Sequence, residues 1–126
     1  MIGYITLGTN DIEKSSRFYD GLLKDLGAKQ AFKTDSLTAW SFGEGKTMLT
    51  ITKPFDENPA TFGNGVMVAL NVDSPEKVDM LHAKALELGG KNEGSPGPRG
   101  ENFYAGYFRD LDGNKLNFFF YTQDAV

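Results

Sequence analysis

Tyr4-Ile-Thr-Leu-Gly-Thr-Asn-Asp-Ile-Glu-Lys-Ser-Ser-Arg-Phe-Tyr19 opens as a short strand, alternating about a two-residue period, and then switches to helical spacing. Sliding the chain by 63 positions lays a second copy of this pattern over its second half. Tyr4-Ile5-Thr6-Leu7 falls on Met67-Val68-Ala69-Leu70, Glu13-Lys14 on Glu76-Lys77, Phe18 on Leu81, Leu23 on Leu86 and Gly27 on Gly90. Matching roles at matching positions identify an internal duplication.

Each half begins with an alternating strand, in which Ile5 and Leu7 oppose Tyr4 and Thr6, and Val68 and Leu70 oppose Met67, Ala69 and Asn71. A capped helix follows. Asn10 is the expected cap of the first, with Glu13 three residues on; Ser74 caps the second, with Pro75 at the first helical position, where its missing N–H costs nothing. Gly27 and the Gly89-Gly90 pair end the helices. Short strands are expected near 28–33, 37–42, 47–52, 91–93, 103–109 and 115–121, with turns at Gly43-Glu44-Gly45 and Asp112-Gly113. Residues 94–100, Gly-Ser-Pro-Gly-Pro-Arg-Gly, read as an exposed loop. The expected fold is α+β, a single domain over 1–126 built of two β-α-β-β-β modules. The first covers about 1–53, a linker about 54–64 and the second about 65–122. Such units hide the sheet faces left bare by their helices by curling around a shared concavity.

A chain of 126 residues suits one domain, and 40% hydrophobic with 24% charged residues is ordinary globular usage. Thirteen Lys and Arg against 17 Asp and Glu leave a net charge of -4, with no basic stripe, which argues against nucleic acid as a partner. The chain has no Cys and one His, so thiolate sites and sites needing two imidazoles from one chain are excluded. No apolar run reaches the roughly 20 residues of a membrane span. Met1 leads into a strand pattern rather than a signal peptide, so no membrane association and a cytoplasmic location are expected.

Three stretches resemble the vicinal oxygen chelate superfamily, which includes glyoxalase, extradiol dioxygenase, methylmalonyl-CoA epimerase and the fosfomycin and bleomycin resistance proteins. They are the opening Tyr4–Tyr19, the middle Gly65-Val-Met-Val-Ala-Leu with Asp73-Ser-Pro-Glu-Lys-Val78, and the ending Tyr107-Phe-Arg-Asp-Leu-Asp-Gly-Asn-Lys-Leu-Asn117. The resemblance implies a glyoxalase/bleomycin resistance-like fold and, in most relatives, a divalent metal that acts as a Lewis acid on vicinal substrate oxygens. Its ligand positions fall here on Tyr4, on Met67, on Asn117 and near Leu49 or Thr50, where the register stays open. A phenol, a thioether and a carboxamide are poor substitutes for imidazole and carboxylate, so no metal and no other cofactor is expected.

Strand alternation aims Tyr4, Thr6, Met67 and Asn117 away from the core, as a polar and apolar lining for a small-molecule pocket. Trp40, Phe42, Tyr104 and Phe119 are candidates for its aromatic walls, and Arg99, in the Gly/Pro loop, for an anion anchor. His82 lacks a sequence partner that would activate it and reads as a packing residue. The run Leu116–Tyr121 is apolar on both strand faces beyond Asn117, which calls for cover on both sides and favours a homodimer. The leading expectation is a metal-independent protein that binds a small aromatic or cationic molecule, as the bleomycin-resistance type does. The alternative is a lyase, of lactoylglutathione lyase type, or a dioxygenase, using a non-standard or dimer-completed metal site.

Overall fold

Burial along the opening strand sets the orientation of everything after it. In β1 (Tyr4–Gly8) Leu7 is buried and Ile5 half-buried, while Tyr4 and Thr6 are exposed. The computed structural model describes residues 1–122. Its elements continue with α1 (Ile12–Leu23), a short 3-10 turn (Lys24–Leu26), β2 (Lys29–Lys33), β3 (Leu37–Ser41) and β4 (Met48–Thr52). The second set is β5 (Val68–Asn71), α2 (Pro75–Glu87), β6 (Lys91–Pro98), β7 (Phe103–Arg109) and β8 (Lys115–Tyr121). The chain is thus α+β, with the β-α-β-β-β order used twice. It forms two compact units, one of Met1–Phe62 and one beginning at Gly63.

Both units share one topology. The first sheet has the order β1-β4-β3-β2 and the second β5-β8-β7-β6. In each, the opening strand pairs parallel with the last, Tyr4 opposite Met48 and Val68 opposite Leu116, and the remaining neighbours are antiparallel. A helix covers one face of each sheet. On that face of the first unit, Ile51, Leu49 and Trp40 are buried with Phe18, Tyr19, Leu22 and Leu23 of α1. The Tyr19 ring lies 5.6 Å from Trp40, whose indole N–H donates to Asp20 at 2.8 Å. On the matching face of the second unit, Phe108 and Phe118 stack at 5.4 Å with Leu116, Val78, Leu81 and Ala85 buried around them. Each such fully buried Val, Leu, Ile or Phe side chain contributes roughly 1.5–3 kcal/mol.

The helix starts follow the expected chemistry with one shift. Ser74 accepts from Lys77 N–H and Pro75 takes the first helical position, as read from the sequence. The first helix is capped by Asp11, which accepts from Lys14 N–H, and not by Asn10. Asn10 instead exchanges two hydrogen bonds with the backbone of Ala60, tying the connecting segment to the first unit. The stretch expected to be a loop from residue 94 is largely strand, since β6 runs through to Pro98. Its glycines and prolines are tolerated because β6 is an edge strand with register shifts between Asn92 and Gly94 and between Gly94 and Gly97.

Two polar clusters brace the second unit. Asp110 is buried, and its carboxylate accepts from Asp112 N–H, Asn114 N–H and the Asn114 amide at 2.9–3.0 Å, which closes the β7–β8 turn. His82 is also buried, its Nε2 3.1 Å from Asn92 Oδ1 and 3.0 Å from Tyr107 O. Gly94 N–H already donates to Asn92 Oδ1, so that atom is an acceptor and His82 Nε2 must carry the proton. The ring crosses β7 at Gly106, where a Cβ would lie 3.1 Å from His82 Cδ2 and 3.0 Å from Pro96 Cγ, so a larger residue there would push on both side chains. Among the described residues, no helix is long and apolar enough to cross a membrane.

Candidate functional site

Paired residues in a sheet share a face, so the register sorts every candidate. In the first unit, Tyr4 pairs with Met48, and Thr6 with Thr50 and through it Ala39, all on the face that α1 leaves bare. In the second, Ala69, Asn117 and Tyr107 form a row across the face that α2 leaves bare. Thr6–Thr50 and Ala69–Asn117 are equivalent pairs in the duplicated units, which makes Thr50 the first unit's counterpart of Asn117. Leu49 is buried on the helix face.

Asn117 is 1% exposed, yet its Oδ1 has no hydrogen-bond partner among the described residues. Leaving a buried carbonyl unpaired costs about 1–3 kcal/mol, and such groups are rare without a role. On the same face Phe119 stacks on Phe103 at 5.3 Å, with Tyr121 6.3 Å from Phe103. Tyr107 lies under two cations: the Arg99 guanidinium carbon is 5.4 Å, and Lys115 Nζ 5.5 Å, from its ring centroid. The second unit therefore brings together Asn117, Phe119 and Arg99 of the expected residues. Met67 precedes β5 and is 40% exposed; Tyr4 is 60% exposed and Thr6 is exposed on β1.

The structure does not bring Trp40 and Tyr104 to these bare faces. Trp40 sits on the α1 face, sealed by its bond to Asp20. Tyr104 pairs with Phe120 on the α2 face and donates to Asp79 at 2.6 Å, a bond that raises its phenol above the ordinary value near 10. It lines a cleft of about 160 Å³ with Pro75, Pro98, Phe103 and Phe120. Sequence reading passed over Tyr107 and Lys115. Alternation outward from Asn117 could have found Lys115, two residues earlier on the same strand face; Tyr107 needed the cross-strand register.

A model of the Glyoxalase/Bleomycin resistance protein/Dioxygenase superfamily matches residues 1–118. The chain belongs to this superfamily. A glyoxalase/bleomycin resistance protein from Albidiferax ferrireducens has 35% identity and a TM-score of 0.88, covering 97% of this chain and 99% of its own. A putative glyoxalase from Bacillus halodurans has 26% identity and a TM-score of 0.79, with 95% of each chain covered. A fosfomycin resistance protein from Mesorhizobium loti, at 17% identity and a TM-score of 0.71, shares the fold, over 99% of this chain and 95% of its own. No curated protein matches the sequence.

The superfamily's usual metal is a poor fit to this donor set. The positions that the resemblance assigns to ligands hold the phenol of Tyr4 and the hydroxyl of Thr50 in the first unit, and the thioether of Met67 and the carboxamide of Asn117 in the second, with no carboxylate or imidazole among them. Among the described residues no group of three His, Cys, Asp or Glu side chains is placed to hold an ion. First-row divalent ions need such ligands to compete with water.

Proposed function

We propose that this chain is a metal-independent small-molecule binding protein, one that holds its ligand without transforming it. The observation that supports this most is Asn117: a buried amide oxygen, unpartnered among the described residues, beside the Phe119–Phe103 stack. A ligand O–H or N–H meeting that oxygen would offset its desolvation, while the rings supply apolar contact. The bleomycin-resistance branch of the superfamily supplies the analogy. We place the protein in the cytoplasm as a homodimer. The edge strands β1 and β5, flanked by exposed Ile2 and Tyr4 and by Val66 and Met67, give a second copy apolar surface to cover.

The test is metal content by mass spectrometry on untagged protein, with the melting temperature read before and after Ni(II), Zn(II), Mn(II) and anaerobic Fe(II). Substoichiometric metal and unmoved melting are expected. Metal near one per chain with a clear rise in melting temperature would refute the reading and restore a lyase or dioxygenase. Light scattering on the same sample reads the dimer.

A further inference from the structure

We propose that the ligand held beside Asn117 is an anion, its charge met by Arg99 and Lys115 over the Tyr107 ring. This rests on the binding role given to that face and adds the chemical class of what binds there. Arg99 is exposed but not loose: Nη1 donates to Gly97 O at 3.0 Å and Pro98 O at 3.4 Å, and Nη2 to Ser95 O at 2.9 Å. These carbonyls and the Tyr107 ring orient the guanidinium without cancelling its charge. Among the described residues neither Arg99 nor Lys115 has a carboxylate partner, whereas Arg109, on the same strand as Tyr107, is paired with Glu93 at 3.4 Å. The two cations share one ring centroid at 5.4 and 5.5 Å, so they lie within about 11 Å of each other, close to the roughly 10 Å screening length of 0.1 M salt.

At low salt, where screening is weaker, two like charges within that range repel, and an anion that reaches both relieves the repulsion. The overall charge of -4 makes such a pair unrepresentative of the surface. Tyr107 pairs directly with Asn117, and Lys115 lies two residues from Asn117 on the same strand face, so the ring that both cations approach is the cross-strand neighbour of the residue with the unpartnered Oδ1. The three groups describe one ligand: a small oxyanion such as a carboxylate, with a hydrogen-bond donor near it for Asn117 Oδ1. Its flat apolar body would lie on Phe119 and Phe103. The same geometry disfavours the cationic ligand that the bleomycin-resistance resemblance implied.

Benzoate, benzamide and benzamidine share a shape and differ in charge. Each is titrated into ¹⁵N-labelled protein at low salt, following the amides of Tyr107, Asn117 and Phe119. Benzoate is expected to shift these amides most tightly. Its dissociation constant should rise about threefold or more in Arg99→Gln and in Lys115→Gln, in line with exposed charge pairs, while that of benzamide stays unchanged. Resonances away from the face report that the variants remain folded. Benzamidine binding as tightly as benzoate at these amides, or benzoate binding indifferent to both substitutions, would overturn the anion assignment and leave the binding face standing. Silence of all three probes there would overturn both.

Discussion

Replacing Asn117 by Leu separates a group kept for a ligand from one kept for the fold. Leu has the same branching at Cγ, so the change exchanges two polar atoms for methyl groups in a site that is 1% exposed. The unpartnered Oδ1 costs about 1–3 kcal/mol in the ligand-free protein, and Leu removes that cost. Crowding by the bulkier methyl groups takes back part of the gain, leaving a net stabilisation of about 1–2 kcal/mol. For a chain of this length that raises the melting temperature by roughly 3–8 °C, read by calorimetry without ligand. Ala at the same position relieves the unpaired oxygen but leaves a small void, so it should melt near the parent. The stabilised Leu variant should also lose aromatic probe binding as read at the Tyr107 and Phe119 amides, a trade of function for stability. A fall in melting temperature in both variants would show that the amide has a partner in the folded protein, and the reasoning would fail.

Three further outcomes follow from the second unit. Asp110→Ala removes the acceptor of three hydrogen bonds in a buried turn and should cost about 2–4 kcal/mol, seen as a lower urea midpoint; an unchanged midpoint would refute it. The single His should appear as the Nε2–H tautomer in long-range ¹⁵N spectra at neutral pH, and an Nδ1–H signature would contradict the His82–Asn92–Tyr107 arrangement. Tyr104 has its phenol raised by the bond to Asp79, so its stabilising contribution is complete below the unfolded value near 10 and is lost as pH rises through the higher folded value. Urea midpoints of the parent and Tyr104→Phe should therefore converge at alkaline pH, and a constant gap would exclude the linkage.

The duplication legible in the sequence carried most of the fold, because strand alternation, helix periodicity and the Ser74-Pro75 start are local signals. Asn10 and Asp11 are both good caps, and only the distant backbone of Ala60, which occupies Asn10, decides between them. The strand character of β6 was hidden because Gly94, Pro96, Gly97 and Pro98 argue against a strand; pairing with β7 across two register shifts overrides that preference. At the site, Asn117 was legible from alternation and from the closing-hairpin resemblance. The helix-side placement of Trp40 and Tyr104 was not, since it depends on partners in α1 and α2. Lys115 shares the Asn117 face by alternation, but its meeting with Arg99 on Tyr107 comes from β6–β7 and β7–β8 geometry that no spacing in the chain encodes.

The parallel closure of each sheet also sets a timetable. Tyr4 must wait for Met48, and Val68 for Leu116, whereas the antiparallel neighbours between them meet across short turns. As the chain leaves the ribosome, the opening strand of each unit is made first and joins last, because distant pairings close slowly. Asn117 lies on the strand that completes the second sheet, so its face exists only once that late step is done. A nascent chain released before β8 has emerged holds the helix and most of the hairpin strands, but no binding face to protect.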